Sequence, residues 1–183
     1  MKLLMHLSEY MNLRVWFISV GLMVIFMVAI LPHEAQRYAS VSNQLPAPDT
    51  QVFYTADWLH QLARDLGEEG RMFYILSRLR FDIIWPLVFA FFFFSSIALL
   101  FHKSPFKKYL IALPVFALAF DYLENSFVSI VFWIYPTTID ILATLAALFT
   151  LFKWLSIGIT VVVILIGLII GVYLRLKTIK NDK

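Results

Sequence analysis

The sequence predicts an all-α integral membrane protein: a four-transmembrane-helix bundle with an outer amphipathic helix and helical extensions. Three observations predict it. Hydrophobic residues make up 61% of the 183-residue chain and the mean hydropathy is +0.82, against roughly 45–50% apolar residues in ordinary soluble domains. Charged residues are only 15%. Apolar runs long enough to cross a bilayer recur along the chain, at about 15–31, 83–101, 109–134 and 154–174, each near the length that the ~30 Å hydrocarbon core requires. The whole chain, 1–183, reads as a single membrane domain.

Met1 to Arg14 is a short head carrying Lys2 and Arg14. Val15 to Leu31 is longer than a signal-peptide core of about 7–15 residues and no A-x-A site follows, so it reads as an uncleaved first span. Pro32 is expected to end that helix. Residues 32–81 then form an outer loop and a capping helix. The loop, Pro32 to about Tyr54, is polar and contains Pro32, Pro46 and Pro48. Thr55 is an N-cap for a short helix whose Trp58, Leu59, Leu62 and Leu66 share one face, with Gly67 placed to stop it.

From Glu68 a helix is expected to run without a break into the second span, kinked at Pro86. His102 to Lys108 is a tight basic turn. The third span follows, with Pro114 near its start and Trp133 and Tyr135 as interfacial anchors. Thr138 to about Leu176 has no proline and is too long for the hydrocarbon core, so one end must protrude. Lys2, Arg14, Lys103, Lys107, Lys108, Arg175, Lys177, Lys180 and Lys183 then mark the cytoplasmic side. The positive-inside rule thus predicts a multi-pass cell-membrane protein with both termini cytoplasmic.

The candidate site is a polar face inside the third span. Asp121, Glu124 and Asn125 are spaced i, i+3 and i+4, so a helix carries them on one side. An ionised group at the bilayer centre costs at least ~2.5–3.5 kcal/mol, which demands a partner. The cations on the outer side are Arg71, Arg78 and Arg80 ahead of the second span and Lys153 at the fourth. Arg71, Tyr74, Arg78 and Asp82 form one helical stripe that is expected to aim at the acidic face. Two meanings are open: an ion-pair network that sets helix register, or a ligand-binding polar interior that opens outwards.

The pattern Gly67-x-x-Gly70-Arg71-x-x-Tyr74, Asp82-x-x-x-Pro86 and Asp121-x-x-Glu124-Asn125 resembles that of small, largely uncharacterised four-span bacterial membrane proteins. The resemblance implies that these positions act together and carries no activity.

Other chemistries find little support. With no cysteine, disulfides, thiolate catalysis and cysteine-ligated metals are excluded. His6, His33, His60 and His102 are scattered, so no metal site is expected. No nucleotide loop, catalytic triad or haem motif is present, so no cofactor and no catalytic residue is assigned. The net charge of +3 is modest and the basic clusters adjoin spans, which argues against nucleic acid. Gly167-x-x-x-Gly171 is expected to serve packing within the chain. The leading expectation is a non-catalytic protein that binds a lipid or small amphiphile, or serves as an accessory subunit to a membrane partner or in a homo-oligomer. The alternatives are a membrane-embedded acid–base enzyme using Asp121 and Glu124 on a lipid-like substrate, and a proton- or cation-coupled small transporter.

Overall fold

The computed structural model describes residues 1–181. Within them the chain is 82% helical with no strands. The helices in order are α1 (Lys2–Glu9), α2 (Leu13–Ile25), α3 (Leu31–Val41), α4 (Ala56–Asp65), α5 (Gly67–Arg80), α6 (Trp85–Leu100), α7 (Lys107–Leu110), α8 (Leu113–Ile134) and α9 (Asp140–Asn181). Three stretches are long and apolar enough to cross a membrane: Leu13–Val41, Lys107–Ile134 and Asp140–Lys180. The pair α5 and α6 meets the same test only when taken together. Only 6% of the apolar window in Leu13–Val41 is buried inside the protein. An apolar surface that wide suits lipid rather than water.

Two proline effects differ from the sequence expectation. Pro32 does not end the first helix. A π-helical turn, Phe26–Ile30, joins α2 to α3, and the Leu31 N–H bonds to the Phe26 carbonyl five residues back. The widened turn relieves both the missing N–H of Pro32 and the crowding of its ring, so the helix continues to Val41. The irregular loop is correspondingly shorter. The second difference lies between α5 and α6, which are not one kinked helix. Residues 81–84 form an irregular turn, and the two helices are bent by 42°. Pro86 gives Asp82 no amide donor, and the Tyr122 hydroxyl donates to the Ile83 carbonyl at 2.7 Å, so α8 supports the break directly.

The short capping helix forms for the expected reasons. The Thr55 hydroxyl accepts from the Trp58 N–H at 3.2 Å, and Gly67 turns the corner at φ +63°. Leu59, Leu62 and Ala63 of α4, with Leu66 just after it, are buried together with Tyr74, Val128, Val131, Phe132 and Ala146. A second apolar cluster contains Phe89, Ala90, Phe93 and Ala117, with Met23, Trp85 and Ile157 against it. Between the two clusters, on α5–α6, α8 and α9 alike, lie the charged residues. Arg78 and Asp82, Asp121 to Asn125, and Lys153 each fall between residues of the upper and lower clusters along their own segments. The bundle is therefore layered: apolar, charged, apolar.

Hydroxyl contacts tie α2 to α6 below that layer. The Trp16 indole N–H donates to Ser96 Oγ at 2.9 Å, and the buried Ser19 and Ser95 hydroxyls meet at 2.8 Å. Such bonds between apolar helices replace the hydrophobic force that lipid does not supply. The glycine pair of α9 divides in two. A Cβ on Gly167 would lie 2.8 Å from the Phe101 ring, whereas one on Gly171 would meet nothing within 4 Å. Gly167→Ala is therefore expected to cost about 1–3 kcal/mol by overpacking, and Gly171→Ala to leave melting unchanged or slightly raised; thermal unfolding of both variants in detergent checks this. Of the basic residues expected at the inner end, Lys183 lies outside the described residues.

Candidate functional site

Helical spacing delivers the acidic face as a unit. Asp121, Glu124 and Asn125 are 6%, 0% and 7% exposed. Lys153 of α9 reaches them across the α8–α9 contact and is itself only 3% exposed. Its ammonium sits 3.3 Å from Asp121 Oδ1 and forms an ion pair with Glu124. Asn125 donates from Nδ2 to Asp121 Oδ2 at 3.1 Å. One lysine thus neutralises part of two buried carboxylates and clasps α8 to α9.

A second ion pair comes from the end of α5. Arg78 and Asp82 pair at i, i+4, and the Arg78 guanidinium lies 4.3 Å from the centre of the fully buried Tyr74 ring. Tyr74 in turn packs edge-on against Phe132, with centroids 5.0 Å apart. These three residues of the stripe do point inward.

Arg71 and Arg80, also expected in the network, stand apart from it. Arg71 donates to the Ala63 carbonyl at 2.8 Å and lies over the Tyr135 ring at 4.3 Å. It caps the last turn of α4, because the corner at Gly67 folds that turn back beside it. Arg80 is exposed and shares a small cavity with Glu34 and Arg37. Its position two residues after Arg78 turns it away from the stripe.

Sequence reasoning missed Asp49. It sits in a 3₁₀ turn, Pro48–Thr50, and its Oδ2 accepts from Arg78 at 2.9 Å. Its backbone carbonyl lies 3.5 Å from the Lys153 ammonium. The turn therefore plugs into the charged layer between the two cations. Burial pushes the Asp49 carboxyl up, but Arg78 and then Lys153 outweigh burial and hold it below its ordinary 3.8. A depressed carboxyl adds stability above the unfolded value, and that stability is lost as pH falls through the folded one. Asp49→Asn is therefore expected to lower stability at neutral pH and to flatten the loss below pH 3.8, as followed by melting across an acid series. Tyr54 and Thr150 were also missed. They meet across the upper core, with the Thr150 hydroxyl donating to Tyr54 Oη at 3.2 Å.

A cavity of about 480 Å³ opens against this layer. Its walls are apolar, from Met23 and Met27 of the first long helix, Trp85, Phe89 and Phe93 of α6, and Ile157 of α9. Asp49, Asp82, Asp121 and Lys153 also line it. Glu124 does not. Among the described residues, no group of three or more acidic or histidine side chains is arranged to hold a metal ion. Comparison with protein-family models, with curated proteins and with solved structures found no match.

Proposed function

We propose that the chain is a multi-pass cell-membrane protein of four spans, with both termini cytoplasmic, that binds an amphiphile without transforming it. The four spans are the first long helix, the bent pair α5–α6, α8 and α9. The apolar-walled cavity holds the tail, and the charged layer receives the head group. The observation that carries this reading is the cavity itself, which joins apolar walls to charged side chains from the 3₁₀ turn, the α5–α6 break, α8 and α9. Its volume falls within the range of small-molecule sites, about 300–1,000 Å³.

The balance of charge indicates the head group. Asp49, Asp82, Asp121 and Glu124 supply four carboxylates, and Arg78 and Lys153 supply two cations. The start of α6 adds roughly half a positive charge beside Asp82. Such an excess is relieved when a carboxyl keeps its proton or when a bound cation supplies the missing charge, and a basic head group is the ligand that would do the second in a place where unpaired charge is costly. The acid–base enzyme reading is less well supported, because a reaction needing both third-span carboxylates meets only Asp121 at the cavity wall.

Titration of the protein in nanodiscs with dodecylamine, dodecanol and dodecanoate tests the proposal. The amine is expected to bind saturably and at least tenfold more tightly than the alcohol, with the carboxylate weakest. Asp121→Asn is expected to reduce the preference for the amine. Equal binding of all three, unchanged by Asp121→Asn, would contradict a head-group site.

A further inference from the structure

A cavity of about 530 Å³ lies between the start of α5 and the end of α8. Glu68, Arg71 and Met72 line it from α5, facing Phe132 and Trp133 of α8 and Tyr135 just after it. It shares no lining residue with the amphiphile cavity.

Glu68 and Arg71 stand at i, i+3 on one helix, a spacing at which acid and base commonly pair. Here they do not. Among the described residues, neither side chain forms an ion pair with any other. Arg71 is drawn aside by its bond to the Ala63 carbonyl at 2.8 Å and by the Tyr135 ring, 4.3 Å away. That bond uses one of five guanidinium N–H donors. Arg71 is only half-buried and Glu68 is exposed, so both charges are open to a ligand. The cavity therefore offers one positive and one negative side chain, held apart and each without a counter-charge of its own.

We propose that this cavity receives the head group of a zwitterionic phospholipid, with its phosphate at Arg71 and its ammonium at Glu68. A guanidinium suits the phosphate, which it can meet with parallel N–H donors. An anionic head group would satisfy Arg71 and leave Glu68 facing it unpaired, and a cationic one would do the reverse. Trp133, 69% exposed, offers the ammonium an aromatic face and is of the residue type that settles at head-group depth. The surface leading away from the site is apolar, which favours a lipid. Leu79 and Ile130, on the two flanking helices, are 62% and 43% exposed. Leu79 also lines a second cavity of about 420 Å³ between α5 and α8, together with Ile75 and Ile83. It lies seven residues beyond Met72, ~10 Å by helical rise, so the second cavity continues the first along the same pair of helices. Tyr122 and Ser126 on its α8 wall already donate to backbone carbonyls, both at 2.7 Å. An acyl chain can lie there without depriving either hydroxyl proton of its acceptor.

The test uses full-length protein in nanodiscs containing phosphatidylethanolamine and phosphatidylglycerol of matched chains, with native mass spectrometry as the readout. Phosphatidylethanolamine is expected to be retained at least fivefold over phosphatidylglycerol. Both lipids carry the phosphate, so Glu68 is the residue that separates them. Glu68→Gln, at an exposed position where melting should not change, is expected to abolish the preference, and Glu68→Lys to reverse it. Arg71→Gln is expected to lower retention of both lipids, and the Glu68 variants keep the test valid if that change loosens the end of α4. Glycerophosphoethanolamine, the same head group without chains, is expected not to be retained. Equal retention of the two lipids, a preference that survives Glu68→Gln, or retention of the chainless head group would overturn the proposal.

Discussion

Lys153→Met is expected to destabilise the protein by about 3–5 kcal/mol, the usual cost of removing one partner from a buried ion pair. Methionine keeps most of the side-chain volume and loses only the charge, so packing changes little. What remains is Asp121 and Glu124 facing each other at 6% and 0% exposure with their shared cation gone. The loss should fall on the α8–α9 contact, which is the most extensive helix pairing in the bundle. Neutralising the same two carboxylates provides the control. Lys153→Met combined with Asp121→Asn and Glu124→Gln is expected to recover most of the lost stability, because no charge is then left unpaired. Denaturation in mixed micelles measures both variants. A triple variant less stable than Lys153→Met alone would show that the clasp is not electrostatic in origin.

Arg78→Met is expected to cost a similar 3–5 kcal/mol, but in a different place. Arg78 pairs with Asp49 and with Asp82, and it also covers the Tyr74 ring. Without it the 3₁₀ turn loses its cationic anchor from α5, and Lys153 offers that turn only a 3.5 Å contact to a backbone carbonyl. Hydrogen exchange is therefore expected to rise most in residues 42–54, with smaller changes in α8 and α9. Lys153→Met should show the opposite distribution. Two variants of similar cost but different exchange maps would separate the two ion pairs within one layer.

The residues that spacing alone identified share a physical reason. A carboxylate in the middle of an apolar run has few places to go, so Asp121 and Glu124 had to turn inward and find a cation. Lys153 was one of the few on the right side. Asp49 had no such signature, since Pro-Asp-Thr is ordinary turn chemistry. Only the docking of the turn on α5 and α9 makes that aspartate part of the layer. Arg71 shows the converse error. Its helical register matches Tyr74 and Arg78, but register says nothing about the corner at Gly67, which folds the end of α4 within reach of its guanidinium. Proline was likewise read by its local rule at Pro32. There the chain absorbed it in a π turn, a choice that depends on packing beyond the proline itself. A polar interior beside Asp121 was expected from the sequence, but its apolar walls, drawn from helices distant in sequence, had no local signature.

The location of a bound amphiphile is the most direct test of the central proposal. A dodecylamine analogue carrying a diazirine in its tail, irradiated with the protein in nanodiscs, would be mapped by peptide mass spectrometry. Labels are expected on Met23, Met27, Trp85, Phe89 and Ile157, the apolar walls of the cavity beside Asp82 and Asp121, and unlabelled dodecylamine should compete them away. Labelling confined to the exposed outer surface of α9, around Ile169, Val172 and Leu176, and insensitive to competition, would contradict it.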